Sequence, residues 1–177
     1  MNTFEINILN FIHNSLSCPA LDVLFKSVSR LGDKGLIWIC IAVFLVLFKK
    51  TRKCGITLAA ALIMCLLFGN LILKPLFART RPFDVYTALN IIIEKPTDYS
   101  FPSGHTLASF ASATVIFRHF RKWGTAALVL AFLIAFSRLY LCVHYPTDVL
   151  CGLILGIFFG NTACILYRKL FLKGSME

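Results

Sequence analysis

The sequence predicts an all-α integral membrane protein, a bundle of about six transmembrane helices. Its 177 residues are 58% hydrophobic and only 15% charged, and the mean hydropathy is +0.79. Two uncharged runs, Cys54–Leu73 with 20 residues and Val149–Tyr167 with 19, are each long enough to cross about 30 Å of hydrocarbon. Short basic clusters flank the apolar runs, as they do in the cytoplasmic loops of membrane proteins.

The apolar pattern predicts five spans, at 35–48, 54–73, 103–117, 124–142 and 149–167. The third is rich in Ala and Ser, which allow close backbone approach, so we expect other helices around it instead of lipid. Residues 1–33 hold two short amphipathic segments on either side of Pro19. These segments either make a sixth, imperfect crossing or lie along the interface. We favour six crossings in a single domain over residues 1–177, with both termini inside.

The basic clusters predict the orientation of the chain in the membrane. Their members are Lys49, Lys50, Arg52 and Lys53; Arg118, Arg121 and Lys122; and Arg168, Lys169 and Lys173. Because cytoplasmic loops are enriched in Lys and Arg, these clusters place the C-terminus in the cytoplasm of a multi-pass plasma-membrane protein. A nucleic-acid-binding face is the poorer explanation of the net charge of +10, since the charge follows the span ends. The lipid bilayer is the expected partner, and the sequence does not indicate an oligomeric state.

The longest connection, residues 79–101, is polar and falls on the outer side. A loop of this length in a small domain is usually functional, and a lid is one such use. The seven cysteines lie mostly inside apolar runs without CxxC spacing, so we interpret them as small hydrophobic residues and expect neither disulfides nor a zinc site. The first 17 residues lack the basic start and apolar centre of a cleavable signal peptide.

Six ionisable residues lie at span ends, and the predicted topology puts all of them on the outer side. They are Lys74, Arg81, His105, Arg138, His144 and Asp148. Ionisable groups near membrane depth are costly to bury and usually functional. Three cations from three segments, Lys74, Arg81 and Arg138, predict an anion clamp, because guanidinium groups match phosphate oxygens two at a time. Arg79 is expected to be an interfacial charge.

The hexapeptide FPSGHT, residues 101–106, opens the Ala/Ser-rich span. A helix that begins near Gly104 presents unpaired backbone N–H groups and the positive end of its dipole. Glycine lets an anion approach the backbone closely, and the Ser103 hydroxyl adds a donor. Alone, this is the pattern of an ordinary capped helix start. Beside three cations it predicts a phosphate site at the helix N-terminus.

Two histidines complete the predicted chemistry. His144 precedes Asp148 by four residues, a spacing that puts the carboxylate against one imidazole nitrogen and leaves the other free as a nucleophile. His105 lies at the phosphate site and can protonate a leaving oxygen as general acid. His13 and His119 are expected to be structural. A metal site built from His105, His144 and Asp148 is disfavoured, because the neighbouring cations would repel a divalent ion.

Three segments resemble the signatures of the type 2 phosphatidic acid phosphatase (PAP2) superfamily. They are KPLFARTRP at 74–82, PSGH at 102–105 and SRLYLCVHYPTD at 137–148, and they fill every defined position of KxxxxxxRP, PSGH and SRxxxxxHxxxD. The motif-bearing core therefore covers 74–148, while residues 1–50 carry no motif. A small membrane form of this kind is similar to the bacterial lipid phosphatases.

The resemblance implies a role for each matching residue. Lys74, Arg81 and Arg138 would bind the phosphoryl group together with Ser103 and the Gly104 amide. His144 would attack phosphorus and form a phosphohistidine, and Asp148 would orient it. His105 would protonate the leaving group and then activate water. The resemblance also implies that no metal or other cofactor is required, since the cations take the place of magnesium.

The expected function is hydrolysis of a membrane lipid phosphate or diphosphate at the outer face. Undecaprenyl diphosphate, phosphatidylglycerol phosphate and phosphatidic acid are the candidate substrates, and an outward-facing site favours the first. The alternative is a transporter of anions or lipids that uses the same basic site. A transport route needs charge along its path, and spans 54–73 and 149–167 carry none in their middles. A vanadate-dependent oxidant is disfavoured by the membrane setting.

Overall fold

The computed structural model describes residues 3–86 and 91–171, and within them every regular element is helical. The α-helices are α1 (Thr3–Leu16), α2 (Pro19–Leu31), α3 (Leu36–Leu47), α4 (Arg52–Met64), α5 (Lys74–Phe77), α6 (Pro82–Val85), α7 (Gly104–His119), α8 (Arg121–Tyr140) and α9 (Pro146–Phe171). A 3₁₀ turn at Asp33–Gly35 joins α2 to α3, and a π-helical stretch at Cys65–Leu73 joins α4 to α5. Each of the five predicted spans falls on one of the rods that these helices form.

Three stretches of the described chain are long and apolar enough to cross a membrane. They are Arg52–Val85, Arg121–Tyr140 and Pro146–Leu170. Large apolar side chains on the outside of the rods are exposed, among them Phe44, Ile63, Phe132 and Phe158. A soluble protein of this size rarely exposes so wide an apolar surface. The surface therefore fits a lipid environment.

Helix α7 lies at the centre of the bundle and packs against α4, α8 and α9. Nine of its residues are buried, and most of these are small or polar. The Ser109 hydroxyl accepts a hydrogen bond of 2.9 Å from the indole nitrogen of Trp38 on α3. The prediction that helices, not lipid, surround the Ala/Ser-rich span is confirmed.

Three glycines on one face of α9 bring this helix unusually close to α7. A Cβ atom would lie 2.9 Å from the Ser103 carbonyl at Gly152, 2.6 Å from the Leu107 carbonyl at Gly156 and 2.7 Å from the Ala111 carbonyl at Gly160. The glycines are four residues apart, so they recur on one side of the helix and meet carbonyls with the same spacing. Close approach of helix backbones at small residues is typical of membrane helix pairs.

The N-terminal helices α1 and α2 pack against one end of the bundle. Leu9 and Ile6 of α1 join a buried cluster with Cys142 and Tyr145. Phe25 of α2 packs on Phe136 and Tyr140 near the end of α8. In these contacts, α1 and α2 therefore pack against the C-terminal end of α8 and the segment that follows it, and not along the length of the rods.

The predicted basic clusters lie at the other end of the rods. Arg118 and Arg121 flank the turn between α7 and α8, Arg168 lies near the end of α9, and all three line one small cavity. Lys49 and Arg52 flank the turn between α3 and α4. Lys173 of the third cluster lies outside the described residues.

Candidate active site

A cavity of about 1590 Å³ opens at the end of the bundle where α1 and α2 pack. Six of the eight predicted site residues line it: Lys74, Arg81, Gly104, His105, Arg138 and His144. They come from the three signature segments of the chain, and only the fold brings these segments together. Ser103 and Asp148 are fully buried behind this wall.

Lys74 and Arg81 are already paired with a carboxylate, that of Asp98 in the loop before α7. The Lys74 ammonium forms an ion pair with Asp98 Oδ2. Arg81 Nη2 donates to Asp98 Oδ1 at 2.6 Å, and Arg81 Nε donates to the Asp98 carbonyl at 2.8 Å. Burial raises the pKa of the Asp98 carboxyl, but the hydrogen bonds and charges of Lys74 and Arg81 outweigh it and lower the pKa to about 2. Two predicted phosphate-binding cations therefore hold an anion from the chain itself.

Arg138 is the third cation, and the fold buries it. One guanidinium nitrogen, Nη1, donates to the Ser29 hydroxyl of α2. Its Nε is buried and has no hydrogen-bond partner among the described residues. A buried N–H without an acceptor is costly, so an oxyanion in the cavity would satisfy it.

His144 lies in the segment between α8 and α9, with its two ring nitrogens in different surroundings. Nδ1 is 3.5 Å from Asp148 Oδ2, and Nε2 is 3.4 Å from Arg81 Nη1. Burial lowers the pKa of the His144 imidazole to about 3 despite the contact with Asp148, and the charges of Arg81 and Arg138 act in the same direction as burial. A neutral ring with Nε2 unprotonated fits these surroundings.

The Asp148 carboxylate is held from several sides. Its Oδ2 accepts hydrogen bonds from the Ser100 hydroxyl at 2.5 Å and from the Tyr145 backbone N–H at 2.9 Å. Its Oδ1 accepts from Arg79 Nη1 at 2.6 Å. The predicted pairing of His144 with Asp148 thus lies within a larger fixed network.

The interpretation of Arg79 as an interfacial charge is wrong. Its guanidinium bridges Asp148 on α9 and Glu5 on α1, and its Nη2 lies 2.7 Å from Glu5 Oε2. It also lies over the Tyr145 ring, 4.0 Å from the centroid. Glu5 is only 4% exposed, and its other oxygen accepts from the Thr147 hydroxyl at 2.6 Å. Helix α1 is therefore tied to the start of α9 by buried charge.

The start of α7 differs in detail from the predicted phosphate site. The Ser103 backbone N–H donates to the Asp148 carbonyl at 3.1 Å, and the Ser103 hydroxyl accepts from Thr106 at 3.0 Å. The Ser103 side chain is fully buried, so it lies behind the cavity wall. Gly104 faces the cavity and has Asn70 beside it, since a Cβ atom there would lie 3.2 Å from Asn70 Oδ1.

His105 lies one residue further along and is bound to the turn between α2 and α3. Its Nε2 is 2.8 Å from Asp33 Oδ1. His119, which was expected to be structural, lies at the end of α7, with Nδ1 3.0 Å from the Val115 carbonyl. Within the described residues, no group of three or more His, Cys, Asp or Glu side chains is arranged to hold a metal ion.

Several residues that contact the predicted site were not predicted from the sequence. They are Glu5, Ser29, Asp33, Asn70, Asp98 and Ser100. Ser100 and Asp98 lie shortly before the PSGH segment, and their polarity beside an apolar span was an available signal. The others lie 30 or more residues from their partners, and no local pattern marks them.

Comparison with known proteins shows the family to which the chain belongs. Residues 52–172 match the family described as the PAP2 superfamily. The chain is 34% identical over 154 residues to an undecaprenyl-diphosphatase of Sulfolobus acidocaldarius, which covers 86% of this chain and 73% of the relative.

Two solved structures share the fold. The crystal structure of Aquifex aeolicus LpxE superposes with a TM-score of 0.78 at 30% identity, over 90% of this chain and 93% of that one. The transmembrane PAP2-type phosphatidylglycerolphosphate phosphatase of Bacillus subtilis gives 0.76 at 25% identity, over 95% and 86%. With three signature segments converging on one cavity and a family match over most of its length, this chain belongs to the PAP2 superfamily.

Proposed function

We propose that the chain hydrolyses a membrane lipid phosphate or diphosphate, without a metal, through a phosphohistidine intermediate. One observation carries the proposal: Lys74, Arg81 and Arg138 line the same cavity as His144, whose Nε2 faces Arg81. Cations fixed around a phosphoryl group stabilise the charge of the transition state, and a neutral imidazole among them can attack phosphorus. The chain belongs to the PAP2 superfamily and is similar to lipid phosphatases, which supports the same function.

In the first step, His144 Nε2 bonds to phosphorus as the bond from phosphorus to the leaving oxygen breaks. Asp148, on the Nδ1 side, stabilises the positive ring that results. His105 gives its proton to the leaving oxygen. Lys74, Arg81 and Arg138 hold the phosphoryl oxygens, and the Gly104 amide adds a donor at the start of α7.

In the second step, water attacks the phosphohistidine. His105, now neutral, takes a proton from the water as its oxygen bonds to phosphorus. The electron pair of the P–N bond returns to His144 Nε2, which restores the neutral ring. Inorganic phosphate then leaves the cations. Ser103, buried behind Gly104, keeps the start of α7 against α9 through its N–H bond to the Asp148 carbonyl.

The apolar part of the cavity favours a lipid substrate. From the charged end, the lining continues between α3 and α4 along apolar side chains: Ile39, Val43, Val46, Leu62 and Leu66. Such a groove lets the tail stay among lipids while the headgroup reaches the cations. The names of relatives include an undecaprenyl-diphosphatase and a phosphatidylglycerolphosphate phosphatase. We favour undecaprenyl diphosphate, with phosphatidylglycerol phosphate and phosphatidic acid as further candidates.

The site is proposed to face the outside of the plasma membrane, with the C-terminus in the cytoplasm. The basic clusters at the opposite end of the rods support this orientation. The whole chain, 1–177, is proposed to act as one domain around the motif-bearing core 74–148. Of the two arrangements left open for residues 1–33, the contacts of α1 and α2 at the site end support helices along the interface more than a sixth crossing.

A phosphate-release assay tests this function. Purified full-length protein in detergent should release phosphate from the three lipids with EDTA present, and their kcat/KM values rank the substrates. His144→Ala should lower kcat at least about 1,000-fold while remaining folded, because the nucleophile is gone. His119→Ala, at the far end of α7, is the matched control and should retain activity. Turnover by His144→Ala, or full loss in EDTA, would contradict the mechanism. Lipid transport into vesicles without phosphate release would favour the transporter.

A further inference from the structure

The turn between α2 and α3 lies against the first turn of α7 and contacts His105. Asp33 Oδ1 is 2.8 Å from His105 Nε2, although the two residues are 72 positions apart. The Asp33 side chain is 59% exposed, and the His105 side chain 18%. No motif covers this turn, so its contact with the proposed general acid comes from the fold alone.

The turn is shaped to receive the imidazole. A Cβ atom at Gly32 would lie 2.7 Å from His105 Cδ2 and 2.9 Å from Ile134 Cγ2, so a side chain there would displace the ring. Lys34 and Gly35 then take left-handed backbone angles, with φ of +52° and +68°, which reverse the chain into α3. Glycine adopts this conformation without steric cost. The imidazole ring of His105 therefore packs against Gly32, and the Asp33 carboxylate lies beside its Nε2 atom.

The charges around His105 explain why it needs an anion. Arg138 of α8 and Lys74 of α5 line the same cavity as His105, and positive charges close to an imidazole disfavour its protonated form. A general acid must carry its proton at the working pH. The hydrogen bond from His105 lowers the pKa of the Asp33 carboxyl, so Asp33 stays ionised near neutral pH, with Arg138 and Arg30 acting in the same direction. Asp33 is the carboxylate in direct contact with His105, so it can offset the effect of the cations on this ring.

We propose that Asp33 is a positioning residue for His105, equivalent in role to Asp148 for His144. Asp33 Oδ1 accepts a hydrogen bond from His105 Nε2–H, which fixes the ring and leaves Nδ1–H to protonate the leaving oxygen as the P–O bond breaks. When water attacks the phosphohistidine, Nδ1 takes a proton from that water as its oxygen bonds to phosphorus and the P–N bond breaks, and Asp33 stabilises the restored positive ring. Each imidazole of the site thus has its own carboxylate. The inference rests on the proposed function.

The variant Asp33→Asn tests this role, because it removes the charge and keeps the shape. With phosphatidic acid, whose leaving group is an alkoxide, we expect kcat to fall about 10-fold with KM within about twofold. The alkaline limb of the pH profile of kcat should move about one pH unit lower, since the ring loses its proton more readily without the carboxylate. Asp33→Glu should restore at least half of the activity.

A change of leaving group separates this role from a structural one. Loss of p-nitrophenolate needs little protonation, so Asp33→Asn should lose less than about threefold in kcat with p-nitrophenyl phosphate. The control is Asp84→Asn, an exposed aspartate in α6, which should match the wild type. An equal loss on both substrates with an unchanged pH profile, or no loss at all, would overturn the inference. Wild-type protein without phosphatase activity would instead overturn the proposed function.

Discussion

Asp98 forms an ion pair with Lys74 inside the cavity proposed to receive phosphate, and the same carboxylate binds Arg81. A carboxylate bound by two cations resembles part of a phosphoryl group. Because the pKa of Asp98 is lowered to about 2, the ion pairs persist at neutral pH and are lost only as the pH falls through that value. A substrate must therefore displace an ionised side chain.

Removal of the Asp98 charge should strengthen the binding of phosphate analogues. For Asp98→Asn, the vanadate concentration that gives half inhibition should fall about threefold to fivefold, equivalent to up to about 1 kcal/mol for a partly exposed ion pair. Inhibition curves of phosphate release measure this, with Asp84→Asn as the control of like charge. Unchanged or weaker inhibition would show that Asp98 does not compete with the anion.

His144 should remain neutral across the physiological range. Its pKa is lowered to about 3, chiefly by burial, so we expect no titration of its ring between pH 5 and 8. Between about pH 3 and 6.5 the unfolded chain binds a proton at this residue that the folded chain does not, so its contribution lowers stability as the pH falls. NMR of ¹⁵N-histidine-labelled protein, with the signal assigned by His144→Ala, measures the titration. A midpoint near 6.5 would contradict the described burial.

The link between Glu5 and Arg79 should support both stability and activity. Glu5→Gln leaves Arg79 without one of its two carboxylates, and we expect a loss of about 1–2 kcal/mol in the free energy of unfolding. Since Arg79 also holds Asp148, kcat should fall while KM changes little. Thermal unfolding and phosphate release measure the two effects. Asn10→Ala, on the exposed face of the same helix, is the control, and an identical result for both variants would refute the link.

The glycine face of α9 should tolerate no added methyl group. In Gly156→Ala the new Cβ would lie 2.6 Å from the Leu107 carbonyl and 2.9 Å from Phe110 Cβ, so one helix must shift. We expect a loss of about 2–3 kcal/mol in the free energy of unfolding, as for an overpacked core. Ile157→Ala, at the neighbouring lipid-facing position, should cost less. Thermal unfolding in detergent ranks the two, and the reverse order would disprove the close packing.

The sequence predicts the helical class and much of the site because both leave local signals. Apolar runs predict the long helices. Lys74, His105 and His144 are recognisable as charged or titratable groups at the ends of these apolar runs. Asp33 and Glu5 leave no such signal, since each is an ordinary acidic residue near a helix end. Arg79 was misinterpreted for the same reason. An arginine at a span end usually reaches water, and only the positions of α1 and α9 show two carboxylates within reach.

The Asp148 carbonyl binds the Ser103 N–H, and glycines line the three turns that follow. Helices α7 and α9 are therefore in close backbone contact along this face, so one helix cannot slide along the other. Nucleophile and helix N-terminus must therefore keep their spacing when the bilayer thins or thickens around the protein. Any widening of the entrance for a bulky headgroup is therefore expected at the opposite wall, where the α2–α3 turn is tied to α7 through the side chains of Asp33 and His105.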